Sequence, residues 1–79
     1  MNKKMKVQVK TFGSLTDILA KEFYITANDT TELLATLSRD HAELAQRSLL
    51  IAVNNTIIKT PVTFQENDIV ALMPPYSGG

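Results

Sequence analysis

Two continuous apolar runs constrain the fold of this chain more than any other feature. They occupy residues 49–53 and 69–73, and turn-forming residues follow or precede each of them. A short run without polar residues is typical of a strand that is buried on both faces. Two such strands in a chain of 79 residues predict one small domain whose sheet has both strands in its interior.

The N-terminal part of the chain predicts two further strands. Residues 5–10 alternate apolar and polar side chains, which is the period of a half-buried strand. Residues 23–26 are aromatic or β-branched and favour a second strand. Between them, Ser14 is expected to cap a short helical stretch whose apolar face comprises Leu15, Ile18 and Leu19.

The clearest helix signal begins at Asp29. Asp29 and Glu32 have the spacing of a capping box, in which each side chain accepts a hydrogen bond from a backbone N–H group of the first turn. An apolar stripe with helical spacing follows, formed by Leu33, Leu34, Leu37, His41 and Leu44. Arg39 and Arg47 lie toward the C-terminal end, where the helix dipole favours cations.

A hairpin is predicted after the first apolar run. Asn54-Asn55 tolerates the positive φ angles of a tight turn, so residues 57–59 are expected to return antiparallel until Pro61 ends them. Val62 and Phe64 are expected to fill the core from an irregular crossing. The resulting order is β-β-α-β-β-β. Its simplest packing is an α+β fold of the β-grasp, or ubiquitin-like, type, in which a mixed sheet is covered on one face by the helix.

The last six residues, Pro74-Pro75-Tyr76-Ser77-Gly78-Gly79, are expected to form a flexible tail on a β-grasp domain of residues 1–73. Neither proline can donate to a sheet, so the last strand should stop at residue 73. No side chain from Ile69 to Gly79 is charged, and glycines leave a terminal carboxylate without steric cover. This pattern indicates either a reactive tip that enters another protein or a frayed terminus. Tyr76 could anchor in a partner's pocket or lie on its own surface.

Composition excludes several classes of function. Eight basic residues balance eight acidic ones, so no charge pattern favours nucleic acid or an anionic membrane. Cysteine is absent, histidine occurs once, at His41, and no glycine-rich phosphate loop is present, so neither a metal site nor a nucleotide site is expected. No apolar stretch could serve as a membrane span or signal peptide, which predicts a cytoplasmic protein. The scattered carboxylates suit capping and solubility better than acid–base catalysis, which leaves the carboxylate of Gly79 as the candidate reactive group.

Several of these features together resemble a known family. They are Leu50-Ile51-Ala52-Val53-Asn54-Asn55, Asp68-Ile69-Val70-Ala71-Leu72-Met73-Pro74-Pro75 and the final Ser77-Gly78-Gly79. Across residues 7–79 the chain resembles the small sulfur-carrier subunit of molybdopterin synthase. The resemblance implies that Gly79 is adenylated and converted to a thiocarboxylate, whose sulfur passes to cyclic pyranopterin monophosphate to form molybdopterin for the molybdenum cofactor. It implies no bound cofactor, because ATP and magnesium are used by the activating partner.

The resemblance also implies partners and the residues that bind them. The partners are an adenylyltransferase that resembles ubiquitin-activating enzymes, a sulfurtransferase, and a large catalytic subunit with which the chain forms a heterotetramer. The small subunit is not an enzyme alone. The partner-binding residues are expected to be exposed apolar positions of the last strand and the tail, namely Leu72, Met73, Pro74, Pro75, Tyr76, Ser77 and Gly78.

The sequence departs from the family pattern at two positions. Asn67 stands before Asp68 where the family commonly has glycine, but asparagine also accepts the left-handed conformation that a turn at Glu66-Asn67-Asp68 needs. Tyr76 stands where a smaller residue is common. The sequence therefore leaves three alternatives open: a sulfur carrier for thiamine, cysteine or tRNA thiolation, a ubiquitin-like protein modifier, and a binding module whose tail is incidental.

Overall fold

The structure, a computed structural model, describes residues 4–75. Its strands and helix are β1 (Met5–Thr11), β2 (Glu22–Ala27), α1 (Thr30–Asp40), β3 (Leu50–Val53), β4 (Thr56–Ile58) and β5 (Ile69–Met73). Two short 3₁₀ helices, Gly13–Asp17 and Ala42–Gln46, lie in the connections after β1 and α1. The predicted order β-β-α-β-β-β is confirmed.

The five strands form one mixed sheet in the order β2-β1-β5-β3-β4. β1 and β5 run parallel, and the other neighbouring strands are antiparallel. Both β3 and β5 therefore have a hydrogen-bonded neighbour on each side, as predicted for the two apolar runs. Helix α1 contributes Leu33 and Leu37 to the core on one face of the sheet, which confirms the β-grasp architecture.

The prediction of burial on both faces is wrong for β5, whereas in β3 the successive residues Ala52 and Val53 are both buried. In β5, Val70 and Leu72 are fully buried, whereas Ile69 is 40% exposed. Successive side chains of a strand point to opposite faces, and α1 packs on only one of them. No described element covers the other face of the sheet, which is called the outer face below. The unbroken apolar sequence of β5 therefore reflects a core face and an apolar outer face.

Three asparagines have the left-handed backbone conformation that their turns require. Asn54 (φ 50°) and Asn55 (φ 73°) form the hairpin between β3 and β4, as predicted. Asn67 (φ 70°) occupies the turn before β5, which confirms that asparagine replaces glycine there without losing the turn. The strand after the hairpin begins one residue earlier than predicted, at Thr56, and ends at Ile58, before Pro61. Of the two residues expected to fill the core, Phe64 is buried and Val62 is half-buried.

The helix begins as predicted but ends earlier. Asp29 Oδ1 accepts a hydrogen bond from the backbone N–H of Glu32 (2.8 Å), and Glu32 Oε1 accepts one from the N–H of Asn28 (2.7 Å). The helix stops at Asp40, so Leu44 reaches the core from the second 3₁₀ helix. Among residues 4–75, no helix combines the length and apolarity that a membrane span requires.

The first 3₁₀ helix is not capped by Ser14. The N-cap position belongs to Phe12, and no side chain caps it. The Thr16 hydroxyl instead donates to the backbone carbonyl of Gly13 (3.0 Å). The prediction placed the N-cap two residues too late, because Gly13 is itself the first residue of the helix.

Candidate functional site

β5 ends at Met73, as the two prolines predict, and leads directly into residues 74–79, called the tail below. Pro74 is half-buried and Pro75 is exposed. Tyr76, Ser77, Gly78 and the carboxylate of Gly79 lie outside the described residues. Their proposed roles, and the division into a domain of residues 1–73 and a tail of residues 74–79, stay predictions.

A glycine supports the point where the tail begins. Gly13 has a φ of +62°, a conformation that L side chains rarely adopt, and a Cβ atom there would lie 3.0 Å from Cγ of Pro74. The preceding residue, Phe12, donates its backbone N–H to the carbonyl of Leu72 (3.1 Å). The start of the first 3₁₀ helix therefore holds the chain on both sides of Met73 and sets the direction in which the tail leaves the sheet.

A groove of about 370 Å³ adjoins this point, and it is called the exit groove below. Its lining residues are Ser14, Leu15, Arg47, Ser48, Pro74 and Pro75. The side chain of Arg47 is exposed, and its Nη1 donates to the hydroxyl oxygen of Ser14 (3.4 Å). The first residues of the tail thus form one wall of a groove that also presents a cation.

Apolar side chains cover one half of the outer face, and this set is called the apolar strip below. It consists of Leu50 and Ala52 on β3, Ile57 on β4, and Ile69, Ala71 and Met73 on β5. The strand register pairs Ala52 with both Ala71 and Ile57, and Leu50 with Met73. Ile57 is 53% exposed. The apolar strip ends at Met73, where the tail begins.

The expectation that Leu72 is an exposed docking residue is wrong. Leu72 is 0% exposed and packs in the core with Val70 and Val9. Met73 is half-buried on the opposite face, as the alternation of a strand requires. Of the two strand residues predicted to contact a partner, only Met73 belongs to the apolar strip.

Comparison with known proteins identifies the family. Residues 9–79 match the ThiS family. The chain belongs to the ThiS family. This membership confirms the resemblance to small sulfur-carrier subunits that the sequence indicates. No curated protein matches the chain.

Solved structures show the same fold as this ThiS-family chain. A chain in the complex of subunits 1 and 2 of molybdopterin-converting factor from Helicobacter pylori is 31% identical, with a TM-score of 0.72 over 95% of this chain and 100% of that one. A chain from Pyrococcus furiosus, assigned as subunit 1 of a molybdopterin converting factor, is 20% identical with a TM-score of 0.82 (91% and 99% covered). Small archaeal modifier protein 1 from Methanosarcina acetivorans is 19% identical with a TM-score of 0.83 (99% and 100% covered). The last two similarities concern the fold alone.

The other half of the outer face in this ThiS-family chain is polar. β1 and β2 place Lys6, Gln8, Lys10, Glu22 and Tyr24 there. The Lys6 ammonium lies 4.9 Å from the centre of the Tyr24 ring, and the Gln8 amide donates to the Glu22 carboxylate. These contacts pair Lys6 with Tyr24 and Gln8 with Glu22, and the outer face therefore has an apolar half and a polar half.

Two polar side chains connect the start of β5 to the β3–β4 turn. Asn54 Nδ2 donates to Asp68 Oδ1 (2.9 Å), and Asn54 Oδ1 accepts from the backbone N–H of Ile69 (2.9 Å). Asp68 Oδ2 also accepts from the N–H of Gln65 (2.8 Å). Asn54 and Asp68 are called the polar clamp below. They hold the end of β5 that lies opposite the tail.

Contacts at the start of α1 shift the pKa of one carboxyl group. Hydrogen bonds from Lys4 and from the backbone of Asn28 hold the pKa of Glu32 below its ordinary value, at the N-terminus of α1. Between residues 4 and 75, no three His, Asp or Glu side chains come together in a way that could hold a metal ion.

The sequence predicted the tail but not the residues around its base. Gly13 and Arg47 are distant from the tail in sequence, and neither belongs to a recognisable motif. A signal existed for Ile57 and Leu50, because strand alternation places them on the face opposite Ile58 and Ile51. That signal becomes useful only when the side of the sheet that α1 covers is known.

Proposed function

We propose that this ThiS-family chain is the small subunit of a molybdopterin synthase. In this proposal the carboxylate of Gly79 is adenylated and then converted to a thiocarboxylate. The large catalytic subunit takes the sulfur for transfer to cyclic pyranopterin monophosphate. The small subunit contributes the reactive group and the docking surface, and the partners contribute catalysis.

The observation that carries the proposal is that the apolar strip runs directly into the tail. A partner that buries the apolar strip would receive the tail at the same time, because Met73 belongs to the strip and Pro74 follows it. The 31% identity to a chain in the Helicobacter pylori complex of subunits 1 and 2 supports a partner subunit of this kind. The described residues of the tail, Pro74 and Pro75, provide a stiff connection between docking surface and tip.

The chemistry of the tail suits transfer between active sites. Residues 69–79 carry no charged side chain, so they can enter a desolvated channel without the cost of burying a side-chain charge. A carboxylate is a poor electrophile, and the activating adenylyltransferase would use ATP and magnesium to attach AMP and release pyrophosphate. A sulfurtransferase would then displace AMP. Because the chain has no cysteine, a carried sulfur would be held at Gly79.

Intact mass spectrometry tests the carrier chemistry. The protein is incubated with the adenylyltransferase of its own cell, ATP, magnesium and a sulfur donor. We expect a mass increase equal to the exchange of one oxygen for sulfur, and we expect no increase in a variant that lacks Gly79. High-mass conjugates in place of this shift would support a protein modifier. An unchanged mass with an enzyme shown to be competent would refute the proposal.

A pair of substitutions tests the docking surface. Ile57→Asp places a charge in the apolar strip, and Thr26→Asp places the same charge at an exposed position on the polar half of the outer face. Burial of the exposed half of Ile57 is worth about 1 kcal/mol, so Ile57→Asp should weaken binding to the large subunit by at least about fivefold. Thr26→Asp should bind as the wild type does. Equal effects of the two variants in isothermal titration calorimetry would exclude the apolar strip as the docking surface.

A further inference from the structure

We infer that the exit groove is the docking site for an acidic side chain of the enzyme that activates the tail, and that Arg47 is the contact residue. This inference rests on the proposed function, because it assumes that the Gly79 carboxylate is adenylated. It adds a specific contact outside the tail and outside the apolar strip.

The exit groove lies where an activating enzyme must pass. Pro74 and Pro75 form part of its lining, so an enzyme that encloses the following residues is brought against the remaining lining residues. Pro74 lies close to Gly13, where a Cβ atom would be only 3.0 Å from the proline ring. Arg47 and the base of the tail therefore lie in the lining of one groove.

Arg47 is presented toward solvent and is partly oriented. Its side chain is exposed, and one guanidinium nitrogen donates to Ser14 at 3.4 Å. Five N–H donors on a planar guanidinium match the two oxygens of a carboxylate, and one bond to Ser14 leaves donors available. An acidic partner residue suits this chemistry better than a neutral one.

The charge distribution explains why such a contact would be needed. The last eleven residues of the chain, Ile69 to Gly79, have no charged side chain, and the whole chain has a formal net charge of zero. Neither therefore supplies a net charge that would attract a partner. Arg47 is the charged side chain that lines the exit groove. A complementary carboxylate at the mouth of the enzyme's active site would fix the orientation of the bound protein and speed its association.

The expected partner residue lies at the rim of the active site and away from the ATP. The four residues from Tyr76 to Gly79 span about 14 Å at most, so a fully extended tail places its tip far from the exit groove. Arg47 is therefore expected to affect association and leave the chemical step unchanged. We assign the contact to the activating enzyme because a sulfur carrier and a protein modifier both require this step.

ATP–pyrophosphate exchange measures the contact directly. The full-length protein is titrated as substrate into the adenylyltransferase of its own cell with ATP and magnesium. Arg47→Glu should raise KM by roughly three- to tenfold with kcat unchanged, because an exposed ion pair is lost and a repulsion replaces it. Arg39→Glu is the matched control, since Arg39 is 76% exposed on α1 and does not line the exit groove.

A neutral variant gives an independent measure. Arg47→Gln should show a smaller rise in KM and a weaker dependence of kcat/KM on salt concentration than the wild type, because one screened charge pair is lost. Circular dichroism confirms that each variant is folded, and Arg47→Gln replaces Arg47→Glu if the charge reversal impairs folding. Equal KM values for the Arg47 and Arg39 variants, with an active wild type, would overturn the inference alone. Absence of exchange for the wild type with a competent enzyme would overturn the proposed function as well.

Discussion

Replacement of Gly13 by alanine should destabilise the protein and misdirect its tail. At a φ of +62°, an L side chain costs about 1–2 kcal/mol in left-handed strain. The lower entropy of the unfolded alanine chain offsets about 0.4–1 kcal/mol of this. The new Cβ would also lie 3.0 Å from Pro74 Cγ, so the proline must move. We expect the free energy of unfolding to fall by about 1 kcal/mol plus the cost of that contact, which lowers Tm by about 4–8 °C or more in a domain of this size.

Two further variants separate the strain from the contact. Gly13→Asn has the same Cβ, but asparagine tolerates positive φ, so it should lose less stability than Gly13→Ala. Pro74→Ala removes the ring atoms that the Cβ meets. In a double-mutant cycle, Gly13→Ala and Pro74→Ala should show a coupling of at least about 0.5 kcal/mol, because the second change relieves the first.

Chemical denaturation followed by circular dichroism measures the stabilities, and ATP–pyrophosphate exchange measures the function of the tail. Gly13→Ala should reduce exchange at temperatures where the variant is fully folded, and Pro74→Ala should restore part of it. Unchanged stability of Gly13→Ala would show that residue 13 does not require a left-handed backbone. Additive effects within about 0.3 kcal/mol in the cycle would show that Gly13 does not support the base of the tail.

Three other predictions concern β5, the polar clamp and the helix start. Leu72→Ala should lower the free energy of unfolding by about 2–5 kcal/mol, and Met73→Ala should lower it much less, because only Leu72 is in the core; urea denaturation compares them, and equal losses would contradict the assignment of faces. Asn54→Ala should lower the free energy of unfolding by about 1–3 kcal/mol, because it removes two side-chain hydrogen bonds and replaces an asparagine at φ 50°. Asn54→Gly loses the same hydrogen bonds but keeps a residue that tolerates this φ angle. Wild-type stability in Asn54→Gly would show that the hydrogen bonds do not contribute. Because the pKa of Glu32 is lowered in the folded protein, its ionised carboxylate contributes to stability above the unfolded pKa, and this contribution is lost as pH falls through the folded pKa. The stability of the protein should therefore decline below about pH 4.3. Lys4→Met should flatten this part of a pH titration of Tm, and an unchanged slope would exclude the Lys4 contact as the cause of the decline.

Local sequence signals predicted the elements that depend on local interactions. The capping box at Asp29 and Glu32 and the Asn54-Asn55 hairpin both form between neighbours in the chain, and both are confirmed. The same reasoning failed for the end of α1, where the apolar spacing continues to Leu44 without a glycine or proline to mark a stop. Leu44 does reach the core, but it does so from a 3₁₀ helix, because His41 leaves the helical conformation.

Burial on the outer face could not be predicted because it depends on what packs against the sheet. The run from Ile69 to Met73 is compatible with two covered faces, and also with one core face and one apolar surface. Within residues 4–75, α1 packs against one face of the sheet, so the second description holds and Leu72 is the buried neighbour of Met73. Gly13 and Arg47 were missed for a related reason, since the proximity of Gly13 to Pro74 and the hydrogen bond from Arg47 to Ser14 arise only when distant segments meet.

The register of β5 connects the polar clamp to the opposite end of the strand. Asn54 accepts from the N–H of Ile69 through its side chain and donates its own N–H to the carbonyl of Ile69 (2.7 Å), so both backbone groups of the first β5 residue are fixed. A slip of β5 by one residue would exchange its two faces, which would expose Leu72 and bury Met73. It would also move Pro74 away from Gly13. The clamp opposes this slip together with the burial of Val70 and Leu72, so both contribute to the composition of the apolar strip and to the point where the tail leaves the domain.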